Sequence, residues 1–214
     1  FNPEEAMPFA SLAAYDLETG ERLFLVDVTD LYEFPAHFAN DVVNDDEGNA
    51  YLTNSIAPVI YQITPEGEAS VFLESEAFAA EGVGLNGIEF HPDGYLLAAV
   101  LGAGSIYKIP LDDPESLTLV ETEMPYAIDG MEFDANLDLV AVANVEDTQV
   151  IVMLSSDDDW ATAYEQSSVE TDGNATTVTI RDDAAFYTKG YFNNPAQEVY
   201  DINRVSLMTL MGMG

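Results

Sequence analysis

The chain has 214 residues, of which 48% are apolar and 21% charged, the composition of a globular protein with a sizeable core rather than of a disordered one. Forty Asp and Glu stand against five Lys and Arg, a net charge of −35 that argues against nucleic-acid binding and disfavours anionic membrane surfaces. There is no cysteine, hence no disulfide and no zinc–thiolate site, and no apolar run approaches the ~18–20 residues of a membrane helix.

The first predicted elements are a strand over residues 11–17, a turn at Glu18-Thr19-Gly20 and a strand over 23–28. A unit then recurs four times. It opens at Asn40-Asp41-Val42-Val43, Asn86-Gly87-Ile88-Glu89, Asp129-Gly130-Met131-Glu132 and Thr176-Thr177-Val178-Thr179, with starts 46, 43 and 47 residues apart. Each opening is a small polar residue followed by a short apolar strand. A turn follows, rich in residues that accept turn conformations: Asp45-Asp46-Glu47-Gly48-Asn49, His91-Pro92-Asp93-Gly94, Asp134-Ala135-Asn136-Leu137-Asp138 and Arg181-Asp182-Asp183. Second strands are predicted at 50–54, 95–100, 139–144 and 185–189, and third strands at 59–64, 105–110, 149–154 and 198–205. Fourth strands are expected at 69–73, 117–121, 161–166 and 207–210. The only predicted helix is two turns over 74–81, since Pro and Gly interrupt longer stretches.

Four strands per ~45 residues is the spacing of propeller blades. The expected fold is therefore all-β, a single propeller domain over residues 1–214 with about four and a half blades. The repeat phase puts the first strand of the N-terminal unit before Phe1. A missing N-terminal blade portion is the first expectation, with a truncated form or a five-blade closure as alternatives.

Three motifs carry a family resemblance: Phe38-Ala39-Asn40-Asp41-Val42-Val43, the run from Leu85 to Gly94, and Ile128-Asp129-Gly130-Met131-Glu132-Phe133. In order and phase they resemble the senescence-marker/regucalcin–gluconolactonase group of six-bladed, calcium-dependent propellers. The resemblance implies Ca2+ or another divalent metal held by the Asn86 amide oxygen and the Asp129 carboxylate. It implies Asp129 as acid/base in hydrolysis of a small-molecule lactone or ester, with Asn40 beside the metal and the substrate; Asp41 and His37, close to Asn40 in sequence, are further substrate-binding candidates. Calcium takes hard oxygen ligands of these kinds, usually six to eight. The family's further metal-binding Glu lies on a first inner strand that has no counterpart in this sequence.

Asn, Asp and Gly before a strand are also ordinary turn chemistry, and a protein without metal or catalysis accounts for them too. A non-catalytic propeller serving as a binding module or assembly subunit, with a protein partner, is the alternative. His91 is expected to be exposed in its turn, and His37 to approach the site. No Gly-x-Ser-x-Gly elbow supports a serine hydrolase, and Gly102-Ala103-Gly104 reads as a hairpin connection. Asp157-Asp158-Asp159 reads as a solvated loop with Trp160 packed under it. The Asn174-Ala175-Thr176 sequon abuts a predicted strand and is expected to be unused. Tyr191, Phe192, Met208, Met211 and Met213 are candidates for core or for a contact surface. The acidity suits a salty medium or a secreted or luminal compartment, and a field that gathers cations is an added consequence.

Overall fold

The computed structural model describes residues 9–191 and 200–211. Its strands form successive antiparallel units that follow the sequence repeat. β1 (Ser11–Tyr15) and β2 (Arg22–Asp27) pair as a two-stranded unit. β3 (Ala39–Asn44), β4 (Ala50–Asn54), β5 (Val59–Ile63) and β6 (Ala69–Glu74) form a four-stranded meander. β7 (Leu85–His91), β8 (Tyr95–Val100), β9 (Ser105–Pro110) and β10 (Thr118–Leu119) form the next. β11 (Glu121–Thr122) is a short strap that pairs in parallel with the outer strand of the unit after it. That unit holds β12 (Ala127–Phe133), β13 (Leu139–Val145), β14 (Thr148–Ser155) and β15 (Thr162–Glu170). The last comprises β16 (Ala175–Arg181), β17 (Ala184–Lys189) and β18 (Ile202–Ser206), followed by helix α1 (Leu207–Leu210).

The core lies between the sheets. One cluster joins β1–β2 to the first four-stranded sheet through Val28, Leu52, Val59 and Tyr61, with Leu12, Phe24 and Val26 against it. The next joins that sheet to the second through Tyr51, Ile60, Leu96 and Ile109. A third joins the second sheet to the third through Leu97, Ile106, Ile128 and Val152, and a fourth joins the third to β16–β18. Both faces of each middle strand are therefore covered, which is why β8 reads as an unbroken apolar run rather than alternating. The inner strands β3, β7, β12 and β16 pack side by side in that order.

Three predicted elements differ. The strand expected over 117–121 divides, its first part forming β10 in one sheet and Glu121 opening β11 in the next. Residues 207–210 form a helical turn, not a fourth strand. Leu207 and Leu210 are both buried against the Val140, Ile151 and Tyr187 cluster, and i, i+3 spacing aims two side chains at one surface only in a helix. Within 74–81 only a 3-10 turn forms, over Glu76–Phe78. β6 runs through Glu74, Ser75 caps the turn by accepting from the Ala77 amide, and Phe78 anchors it at 1% exposure. The start of the predicted 198–205 strand, Phe192 and Met213 lie outside the described residues. Trp160 is buried beneath its Asp loop, edge-on to Phe133. Among the described residues no helix is long and apolar enough to cross a membrane.

Candidate functional site

Every inner strand carries a register irregularity at the same place. It falls between Ala39 and Val42, Leu85 and Ile88, Ile128 and Met131, and Ala175 and Thr177. The residues inside these bulges are Asn40-Asp41, Asn86-Gly87, Asp129-Gly130 and Thr176, the polar openings of the repeat. A bulge leaves a residue unpaired and re-aims its side chain, a device that strands use beside functional sites.

Packing at the bulges is tight. A side chain at Gly87 would collide with the carbonyl oxygen of Asp129, and one at Gly130 with Thr177. Glycine here permits neighbouring inner strands to approach closely, so that the Asn86 amide lies near enough to influence the Asp129 carboxyl on the next sheet.

Asp41 links the first two sheets. Its Oδ2 accepts from the Ile88 amide at 3.2 Å and its Oδ1 from the Val42 amide at 2.9 Å. Thr53 Oγ1 accepts from the Asp41 amide at 3.0 Å and donates to the Asn86 carbonyl at 2.8 Å. Asn40 is exposed and donates from Nδ2 to Ser55 Oγ at 2.8 Å, and Ser55 donates onward to the Leu85 carbonyl at 2.6 Å.

The electrostatics follow from burial with few cations near. Burial pushes the Asp129 carboxyl up to about 6, the Asn86 hydrogen bond opposes this, and the Asp41 charge adds to it. Burial also raises Asp41, against the Ile88 and Val42 amides. Glu89 is pushed up to about 8 by burial, then by the charges of Glu132 and Asp41. Sequence reading missed Glu89 and Glu132 as neighbours of the site. Their signal was a Glu three positions after the bulge start in two successive repeats.

His37 is buried and lines a pocket on the connection between β2 and β3. Its Nδ1 accepts from Asn54 Nδ2 at 2.9 Å, with the Tyr61 hydroxyl 3.5 Å away. His91, expected to be exposed, is buried at 5% exposure. Its ring stacks on Tyr95 and meets Phe133 edge-on, and its Nδ1 accepts from the Asp93 amide at 3.2 Å. Asp45 and Asp134 accept turn amides at the same place in their repeats, so the imidazole does the work of an Asp side chain.

Asn86, Asp129 and Asp41 offer hard oxygens, the right kind of donor for calcium. They fall short in number, and among the described residues no group of three or more His, Cys, Asp or Glu is placed to hold a metal ion.

Among solved structures the chain is similar to the major allergen Mala s 1 of Malassezia sympodialis, at 14% identity over 92% of this chain and 66% of that one, with a TM-score of 0.66. It is similar to a luciferin-regenerating enzyme, at 15% identity over 93% of this chain and 71% of that one, with a TM-score of 0.65. A third is the calcium-binding protein regucalcin from Agrobacterium tumefaciens, at 16% identity over 84% of this chain and 61% of that one, with a TM-score of 0.57. The chain is a β-propeller. It spans about two thirds of the length of these proteins, and the sheets described above are its blades. No protein-family model and no curated protein sequence matches it.

Proposed function

We propose that this propeller binds a divalent cation, calcium by the chemistry of its donors, where the bulges of β3, β7 and β12 meet, and that the site hydrolyses a small lactone or ester. The observation that carries this reading is the convergence of Asn86 and Asp129 from successive blades, with the Asp41 charge close enough to raise the Asp129 carboxyl. A desolvated carboxylate beside a second one is a standing demand for a cation, and the surrounding field of −35 raises the local concentration of one.

The residues that hold the ion are Asn86 and Asp129, with Asp41 at the margin because backbone amides already occupy both its oxygens. What such an ion supplies when bound is polarisation of a carbonyl group. Asp129 is the proton carrier. Its carboxylate accepts a proton from the attacking water and returns it to the departing alkoxide oxygen. The Thr53 and Ser55 bonds fix the strand backbones behind the pair. Asn40, exposed at the rim, contacts the substrate or a bound water.

The test is hydrolysis of a panel of γ- and δ-lactones and aryl esters, with calcium and with a chelator. The expected result is turnover that the chelator abolishes and that Asp129→Asn lowers by about 100-fold or more. No turnover with any member, in a protein that binds calcium, would leave a metal-bearing propeller without this chemistry and would reject the hydrolase.

A second reading is a non-catalytic propeller acting as a binding module or assembly subunit. It is favoured by large apolar side chains exposed on the terminal units: Tyr15, Leu23 and Leu25 on β1–β2, and Ile202 beside Tyr200 at β18. Light scattering across a concentration series, together with the absence of lactone turnover, distinguishes it.

A further inference from the structure

The connection from β2 to β3 walls a pocket of about 390 Å³ with Thr29, Asp30, Tyr32, Glu33, Phe34 and His37. Of the residues assigned above to the metal site or its substrate, only His37 lines it. The pocket has three chemical features. Its charged side chains are the carboxylates of Asp30 and Glu33, and among the described residues no Lys or Arg lines it. The rings of Tyr32 and Phe34 lie nearly parallel, 23° apart with centroids 6.0 Å from each other. The Tyr32 hydroxyl donates to Glu74 at 2.8 Å, which holds that ring in place.

The third feature is the orientation of His37, which is 2% exposed. Asn54 Oδ1 accepts from the amides of Phe38, Ile56 and Ala57. The Asn54 amide is thereby fixed with its NH2 toward His37, so His37 Nδ1 is the acceptor and Nε2 carries the hydrogen. Burial keeps the ring below its ordinary pKa, so it is a neutral donor rather than a competing cation.

These features select among ligands. An anion meets two carboxylates and no basic side chain. A bare metal ion needs oxygens on several sides, and two aromatic faces offer none. An organic cation uses everything present: methyl or methylene groups lie on the ring faces, cation–π attraction adds to the carboxylate charge, and an oxygen substituent accepts from His37 Nε2. We propose that this pocket binds a small organic cation, a quaternary or protonated amine carrying a hydroxyl or carbonyl oxygen. The inference stands apart from the metal reading and survives its failure.

Choline is the probe, with 3,3-dimethylbutanol as its uncharged isostere, titrated in about 1 M KCl so that diffuse attraction to the acidic surface is screened. The readouts are calorimetry and the ring resonances of the two histidines, one in the pocket and one far along the chain at His91. Expected are a saturable shift of His37 with His91 unmoved, choline binding about tenfold or more tighter than the isostere, and a fivefold or greater loss on Phe34→Ala and on Asp30→Asn combined with Glu33→Gln. A control with Asp112→Asn and Asp113→Asn, equal in charge change but outside the pocket, is expected to bind as the parent does. A stationary His37, equal affinity for the isostere, or an equal loss in the control would each overturn the proposal. Phe34 is 38% exposed, so its truncation leaves the core intact.

Discussion

Burial lifts the carboxyls of Glu89 and Asp129 and depresses the imidazoles of His37 and His91, and the two effects act on stability in opposite directions of pH. Glu89 moves from an ordinary 4.5 to about 8, so its native state holds a proton that the unfolded state has lost. That contribution is present at low pH and disappears as pH rises from 4.5 through about 8. Glu89→Gln is therefore expected to stabilise the protein by about 1 kcal/mol or more at pH 8.5, with the gain shrinking toward pH 5 in thermal melts. A gain independent of pH would contradict the burial of this carboxyl. The histidines run the other way: neutral in the fold, they cost stability as pH falls below the ordinary imidazole value. At Gly87 the deciding quantity is space. Gly87→Ala forces a methyl group onto the Asp129 carbonyl and is expected to cost about 1–3 kcal/mol in denaturant melts while weakening any ion held by Asp129. Asn40, Asn86 and Asp129 were legible as residues because they share one phase of the repeat. Glu89 was not, because a bulge shifts the strand's alternation, and Asn-Gly-Ile-Glu-Phe read without it puts the Glu on an outward face. His91 was misread for a related reason: a turn position predicts exposure, but Tyr95 and Phe133 close over it.

Elements were legible where turn chemistry punctuates the chain. Asp45, His91 and Asp134 each accept the amide two residues on and fix a reversal between the first two strands of a blade. Those reversals set the phase from which the other strands were placed. Reading failed at 207–210 and 74–81, where tertiary contact decides between helix, turn and strand. In α1, Leu207 and Leu210 cover the outer part of the cluster between the last two blades. Leu210→Ala is expected to destabilise by about 2–5 kcal/mol, with hydrogen exchange quickening in β17 and β18 before β4 or β8. Uniform quickening would mean that the last blade does not open separately. The strap β11 was merged with β10 in the expected 117–121 strand, since so short a segment carries no period, and only parallel pairing with β15 separates it.

At the scale of the whole molecule, four apolar clusters join the blades in series, so each blade is held chiefly by its neighbours in sequence. Against them acts the repulsion of a −35 charge, of which few members are paired: three Lys–Asp or Arg–Asp ion pairs are found among the described residues. The melting temperature is expected to rise steadily with KCl from about 0.1 M, where the Debye length is ~10 Å, to about 1 M, where it is ~3 Å. A flat response would show that the surface charges are already compensated. The blade architecture was legible in the sequence because the period repeats four times. The convergence of bulges was not, since register depends on strand pairing that no single motif encodes.

Asn86 and Asp129, on successive blades, are the proposed ligands of a divalent cation. The most direct measurement is calcium calorimetry in about 1 M KCl on the parent protein and on Asp129→Asn, because salt at that strength screens the diffuse acidic surface and spares a half-buried site. One saturable site is expected in the parent, weakened about tenfold or more in the variant, with protons released on binding at pH 6, where burial leaves the metal-free Asp129 carboxyl about half protonated. Weak binding to many sites, unchanged by Asp129→Asn and without proton release, would contradict it.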